Sequence, residues 1–168
     1  NVAPHATDPK APESRVFIKA LTASGETVYT TVDVAFPQNY ITVTTGTTFL
    51  VPIIVDDLTG LNVLSYHFTV YCGFNGANLT FASPPTDVSG TLSSTMSITT
   101  NNDVPWLLTV DAFSASALSG SGTLINLRVT VDSGAPSTLD VVAFYTDNNN
   151  VPIFHFNEGE PQANVTRT

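Results

Sequence analysis

Between residues 61 and 71 the chain reads LNVLSYHFTVY, where apolar and polar positions alternate more regularly than anywhere else in the sequence. Successive side chains of a strand point to opposite faces. The run therefore predicts a half-buried strand, with Leu64, Tyr66, Phe68 and Val70 turned toward a core and Ser65, His67, Thr69 and Tyr71 turned outward. Residues 106–113 repeat the pattern, with Leu108, Val110 and Ala112 on one face and Leu107, Thr109, Asp111 and Phe113 on the other. In residues 123–131 the apolar set is Ile125, Leu127, Val129 and Val131, and Leu124, Asn126, Arg128 and Thr130 alternate with it.

Shorter strand-like runs fill the rest, at residues 16–21, 27–34, 41–44, 49–55, 79–82, 95–99, 139–145 and 151–156. Turn chemistry separates them: Thr45-Gly46, Asp56-Asp57-Leu58-Thr59-Gly60, a loop around Pro84-Pro85 and Ser89-Gly90, Asn101-Asn102-Asp103-Val104-Pro105, Ser119-Gly120, Gly134 and the Asp147–Asn150 tetrad. Pro52 removes a backbone donor from its run, which predicts an edge position or a bulge there. Short strands at about 8–12-residue spacing with turns between them predict an all-β sandwich or barrel. The runs at 16–21 and 27–34, joined by Ala23-Ser24-Gly25-Glu26, predict a hairpin. Pro4, Pro9 and Pro12 mark an extended linker from a larger polypeptide. The expected division is thus a linker over 1–14, an N-terminal hairpin extension over 15–37 and the sandwich over 38–168.

Charge narrows the partners. Five Lys and Arg stand against fourteen Asp and Glu, a formal charge of -9, and no basic residue occurs between Lys19 and Arg128. Nucleic acid and anionic membrane surfaces are recognised mainly through Lys and Arg, so both are expected to be absent as partners. No apolar run approaches the roughly 18–20 residues of a membrane span. A Lys-poor, acidic surface rich in Thr and Asn points to a secreted or cell-surface protein.

Candidate chemistry is sparse. His5, His67 and His155 show no metal-ligand spacing, no Gly-x-Ser-x-Gly elbow is present, and the lone Cys72 reads as a small half-buried hydrophobe. Oxygen-rich turns make Asp147, Asn157 and Glu158 candidate calcium ligands, since hard cations favour clustered oxygens. No other cofactor is expected, and no metal site beyond those two turns, 147–150 and 157–160. Asn78-Leu79-Thr80 and Asn164-Val165-Thr166 fit the N-glycosylation pattern.

Several segments occur in a telling order: Phe49 to Val55 with its internal Pro52, the aromatic-ended strand closing at Tyr71, Leu79-Thr80-Phe81, Leu118-Ser119-Gly120-Ser121-Gly122-Thr123-Leu124 followed by Leu127-Arg128-Val129-Thr130-Val131, and Phe156-Asn157-Glu158-Gly159. From about residue 40 to 168 this order resembles that of the cohesin family of bacterial and archaeal surface and scaffold proteins. The resemblance implies a nine-stranded β-sandwich of jelly-roll topology, here with the extra N-terminal hairpin. It implies no catalytic activity, and binding of a dockerin-like partner, a small calcium-loaded helical module, across one face of a four-stranded sheet. That face would carry Ser65, His67 and Thr69 from one strand and Thr109, Asp111 and Phe113 from another, with His67 a pH-sensitive contact and Asp111 an acceptor for a partner's Lys, Arg or hydroxyl. Cellulosomal members often carry Asn and Asp where Ser65 and His67 stand, and their Tyr-Asp-Pro is replaced by Tyr71-Cys72-Gly73, so this chain resembles a divergent member. Members also continue beyond a segment like Ala163 to Thr168 into one more strand. The hairpin at 15–34 is the candidate to supply it, from the same chain or from a neighbour, the latter giving an oligomer. Two alternatives stand beside the docking reading: polysaccharide binding through Trp106 and Tyr71, and a structural spacer.

Overall fold

A computed structural model of the protein describes residues 30–37, 42–73, 78–135 and 140–166. The alternating runs are rich in β-branched and aromatic residues, which suit a pleated half-buried surface. They form ten strands: β1 (Thr31–Ala35), β2 (Thr48–Val55), β3 (Ser65–Cys72), β4 (Leu79–Asp87), β5 (Ser97–Asn101), β6 (Leu107–Phe113), β7 (Gly122–Val131), β8 (Val142–Phe144), β9 (Phe154–Phe156) and β10 (Gln162–Val165). One sheet runs β10-β1-β2-β7-β4, and the other runs β5-β6-β3-β8 with β9 also paired to β3. β8 and β9 lie end to end along the same side of β3, and the two sheets of ten described strands form an all-β jelly-roll sandwich, the fold class expected.

The inner faces meet in one core that includes Val34, Ile53, Tyr66, Phe68, Val70, Leu108, Val110, Ile125, Leu127 and Phe156. Phe154 stacks on Phe68 with ring centroids 5.8 Å apart and meets Phe156 edge-on at 4.9 Å. The polar atoms that enter are partnered: the buried Tyr66 hydroxyl pairs with Ser93 Oγ at 2.7 Å, and no buried side-chain polar atom among the described residues lacks a hydrogen bond.

Five local expectations change. Residues 31–35, read from the sequence as part of an extension preceding the sandwich, lie inside the first sheet as β1, with Val32 and Val34 buried. β1 pairs parallel with β10 of its own chain, from Thr31 opposite Gln162 to Val34 opposite Val165. The linker and the rest of the extension up to residue 29 lie outside the described residues. Leu64 is only half-buried and Val63 takes the core position instead, because the left-handed backbone at Asn62 (φ 53°) interrupts the alternation before β3 begins at Ser65. Leu124 is fully buried beside Ile125 because β7 is bulged: Ile53 faces Ile125 and Ile54 faces Thr123, which leaves Leu124 out of register and turns it inward. That bulge adjoins Pro52, where β2 also has no registered partner on its β1 side among the described residues. Residues 42–44 form no strand but lead into a turn at Gly46 (φ 76°), and β4 continues beyond Pro84-Pro85 by bulging residues 82–85 out of its ladder with β7.

Candidate docking face

β3 and β6 pair antiparallel over seven consecutive residues, Ser65 opposite Phe113 through Tyr71 opposite Leu107. In antiparallel pairs directly opposed residues share a face. The register therefore sets Ser65 beside Phe113, His67 beside Asp111 and Thr69 beside Thr109, all on the side away from the core. β5 extends the surface, with Ser97 opposite Phe113, Thr99 opposite Asp111 and Asn101 opposite Thr109. On the far side of β3, β9 sets His155 opposite His67. One row thus crosses four strands as Thr99, Asp111, His67 and His155.

His67 Nδ1 lies 2.7 Å from Asp111 Oδ1. A carboxylate can only accept, so Nδ1 carries the proton and donates it, leaving Nε2 as the nitrogen not engaged by Asp111. The rings of His67 and His155 stand nearly parallel, 16° apart, with centroids 6.3 Å from one another. Thr69 and Thr109 share a hydroxyl hydrogen bond of 3.1 Å, and Thr69 is nearly covered. Phe113 is 61% exposed on the polar face, an aromatic ring that the fold itself leaves uncovered.

The electrostatic setting is one-sided. Three of the fourteen acids and four of the five basic residues fall outside residues 30–166, leaving eleven acids and Arg128 within them. Arg128 belongs to the other sheet, where Nη1 donates to the Pro84 carbonyl at 2.9 Å. Asp111 is the one carboxylate among the outward residues of β3, β5, β6 and β9 named above, and no Lys or Arg stands among them.

All six residues expected on a docking face lie on that one face. His155 was not among them. Phe154-His155-Phe156 does alternate, and it turns His155 outward, but nothing local says which strand lies beside it. Its place depends on an excursion. Tyr145 N donates to the Thr69 carbonyl at 2.8 Å, the chain leaves the sheet, and it returns where Thr69 N donates to Ile153 O at 3.1 Å. Asp147 closes the excursion, its Oδ1 accepting from Asn149 N at 2.9 Å and Val151 N at 2.8 Å. The Val151 N–H, with those of Asn149, holds this carboxyl below the usual carboxylate range.

Two of the calcium candidates, Asp147 and Asn157, hold the backbone in place. Asn157, with φ 43°, accepts at Oδ1 from Leu64 N (2.8 Å) and Ser65 N (3.1 Å) and donates from Nδ2 to Glu160 O (2.8 Å) and Asn62 O (3.2 Å). It ties the end of β9 to the start of β3, and Glu158 stays exposed beside it. Among the described residues no three His, Cys, Asp or Glu side chains converge as a metal cluster. Cys72 is fully buried rather than half-buried, and burial, helped by Asp140 and Asp132, pushes its thiol up to about 12. Trp106 packs half-buried against the core, while Tyr71 meets Tyr145 edge-on at 85°. These two tyrosines line an open cleft of about 430 Å³ together with Thr146, Asn150 and Thr166, and no charged side chain lines it.

No family model matches the chain, and no curated protein does. Solved structures share its fold. A type II cohesin domain from the cellulosome of Acetivibrio cellulolyticus superposes with a TM-score of 0.57 at 12% identity, covering 82% of this chain and 92% of that one. The third ScaB cohesin of R. flavefaciens, solved in complex with a group 1 dockerin, gives 0.54 at 14% identity, covering 81% and 90%. The sixth cohesin of scaffoldin B from Acetivibrio cellulolyticus, solved with a mutant dockerin, gives 0.50 at 18% identity over 82% and 95%. The protein has the cohesin fold in a divergent sequence.

Proposed function

We propose that this is a non-catalytic protein-interaction module of a secreted or cell-surface protein, and that it binds a dockerin-like partner across the β5-β6-β3-β9 face. The observation that carries the reading is Phe113, a mostly exposed aromatic on a broad sheet face whose one named carboxylate, Asp111, is oriented by its histidine neighbour. Interface centres favour aromatics and exclude most charges. With so few basic residues in the sandwich, the suitable partner brings its own Lys, Arg or hydroxyl groups to Asp111 and an apolar recess to Phe113. The similarly folded cohesins solved with dockerins support a protein partner of that class. Calorimetric titration with a panel of calcium-loaded dockerin modules tests this, with His67→Ala/Phe113→Ala as the control. Binding by wild type and at least a tenfold loss in the double variant are expected, and equal affinity for both proteins would remove the face from the reading.

A second reading rests on the Tyr71–Tyr145 cleft. Its uncharged polar rim and aromatic walls suit a neutral sugar. Retention on insoluble polysaccharide that Tyr71→Ala or Tyr145→Ala abolishes would favour it over docking.

A further inference from the structure

We propose that His67 and His155 together form a binding site for a divalent transition metal of imidazole preference, of which Zn2+ and Ni2+ are the test cases. The two residues are 88 positions apart in sequence (155 minus 67) yet directly opposed across the β3–β9 ladder. Both side chains rise from the outer face, with His155 exposed and its ring nearly parallel to that of His67.

A carboxylate, Asp111, stands behind His67. A metal-bound imidazole characteristically donates its other N–H to a carboxylate, which fixes the tautomer and raises ligand basicity. Asp111 does this at 2.7 Å to Nδ1, so Nε2 is the nitrogen prepared to ligate. Asp111 is therefore a positioning residue. Metal–imidazole bonds are about 2.0–2.1 Å long, so the exposed His155 ring must turn toward His67 for both nitrogens to reach one ion. The protein supplies two ligands, since no third His, Cys, Asp or Glu converges there among the described residues. Water fills the remaining positions, or a side chain from a partner seated on the face. Two neutral nitrogens favour Ni2+ and Zn2+ over Ca2+ and Mg2+, which require oxygen ligands.

Zn2+ titration of the full chain, followed by calorimetry and by the histidine ring resonances, tests the site without any partner. One saturable Zn2+ per chain is expected, moving the His67 and His155 signals together while His5 does not follow, with no comparable effect of Mg2+. His67→Asn and His155→Asn should each abolish saturable binding, and Asp111→Asn should weaken it roughly 10–100-fold. All three side chains are at least partly exposed, so thermal unfolding of the metal-free variants should match wild type. Absence of saturable binding, a shift confined to His5, or wild-type affinity in either single histidine variant would overturn the proposal. Unchanged affinity in Asp111→Asn would overturn the role given to the carboxylate. None of these outcomes depends on whether the face docks a protein.

Discussion

β3 has two flanks, and they are built differently. On one side it meets β6 in seven unbroken pairs, each strand long enough to define its own inward and outward rows. On the other it meets β8 and β9, two three-residue strands separated by an excursion whose closure depends on Asp147, with Asn157 anchoring the end of β9 beyond it. The first flank is a continuous ladder carrying the expected docking residues. The second is a segmented edge that reaches the core through Phe144, Phe154 and Phe156 and brings His155 onto the same outer face. A continuous ladder needs only alternation to define it, whereas a segmented edge needs side-chain clamps at its breaks.

If the segmented flank is welded to the core as firmly as the continuous one, truncating either should cost the same. Phe154 is 3% exposed and packs on Phe68, Phe144, Tyr66 and Phe156. Phe154→Ala should cost about 3–5 kcal/mol, as Phe68→Ala should. Urea unfolding that shows less than half that loss at Phe154 would mean the edge opens independently of the sandwich.

The clamp comes next. Asn157→Ala strips partners from Leu64 N, Ser65 N and the carbonyls of Asn62 and Glu160, and it leaves a left-handed backbone without the residue that tolerates it. A loss of about 2 kcal/mol is expected. Hydrogen exchange should quicken at β9 and not at β6, and equal quickening on both flanks would erase the distinction.

Alkaline pH probes β3 itself. Burial raises the Tyr66 hydroxyl far above its ordinary value, partly offset by Ser93, and raises the Cys72 thiol to about 12. Both groups are raised, so their contribution is whole below pH 9, where folded and unfolded chains alike keep the thiol protonated. Above pH 9 the unfolded thiol ionises while the folded one does not, and above pH 10 the unfolded Tyr66 follows. Stability should fall by on the order of 1 kcal/mol per pH unit as pH rises toward 12. A Tyr66→Phe/Cys72→Ala variant should show a shallower slope, and an identical slope would exclude β3 as its source.

The smallest effect belongs to the exposed pair. With His67 and Asp111 side chains 38% and 62% exposed, Asp111→Asn should change stability by less than about 1 kcal/mol. A larger loss in thermal unfolding would make the pair part of the scaffold and not of the face.

Alternation in residues 61–71 and 106–113 was enough to sort Tyr66, Phe68, Val70, Leu108, Val110 and Ala112 from Ser65, His67, Thr69, Thr109, Asp111 and Phe113, because the two-residue period of a strand is a local property of the backbone. Acidity, the scarcity of Lys and Arg, and the all-β class were equally local. What alternation could not supply was adjacency. Whether His67 faces Asp111, and whether His155 lies beside it, depends on strand order and register, and these are set by non-local hydrogen bonds and by the length of the excursion between β8 and β9. The same reason explains the misplaced residues. The bulge that turns Leu124 inward, the left-handed Asn62 that hands a core place from Leu64 to Val63, and the parallel pairing of β1 with β10 arise where one segment must fit another. Local alternation sets the two faces of each strand. Which faces become neighbours follows from pairing energy, and that depends on partners far apart in the chain.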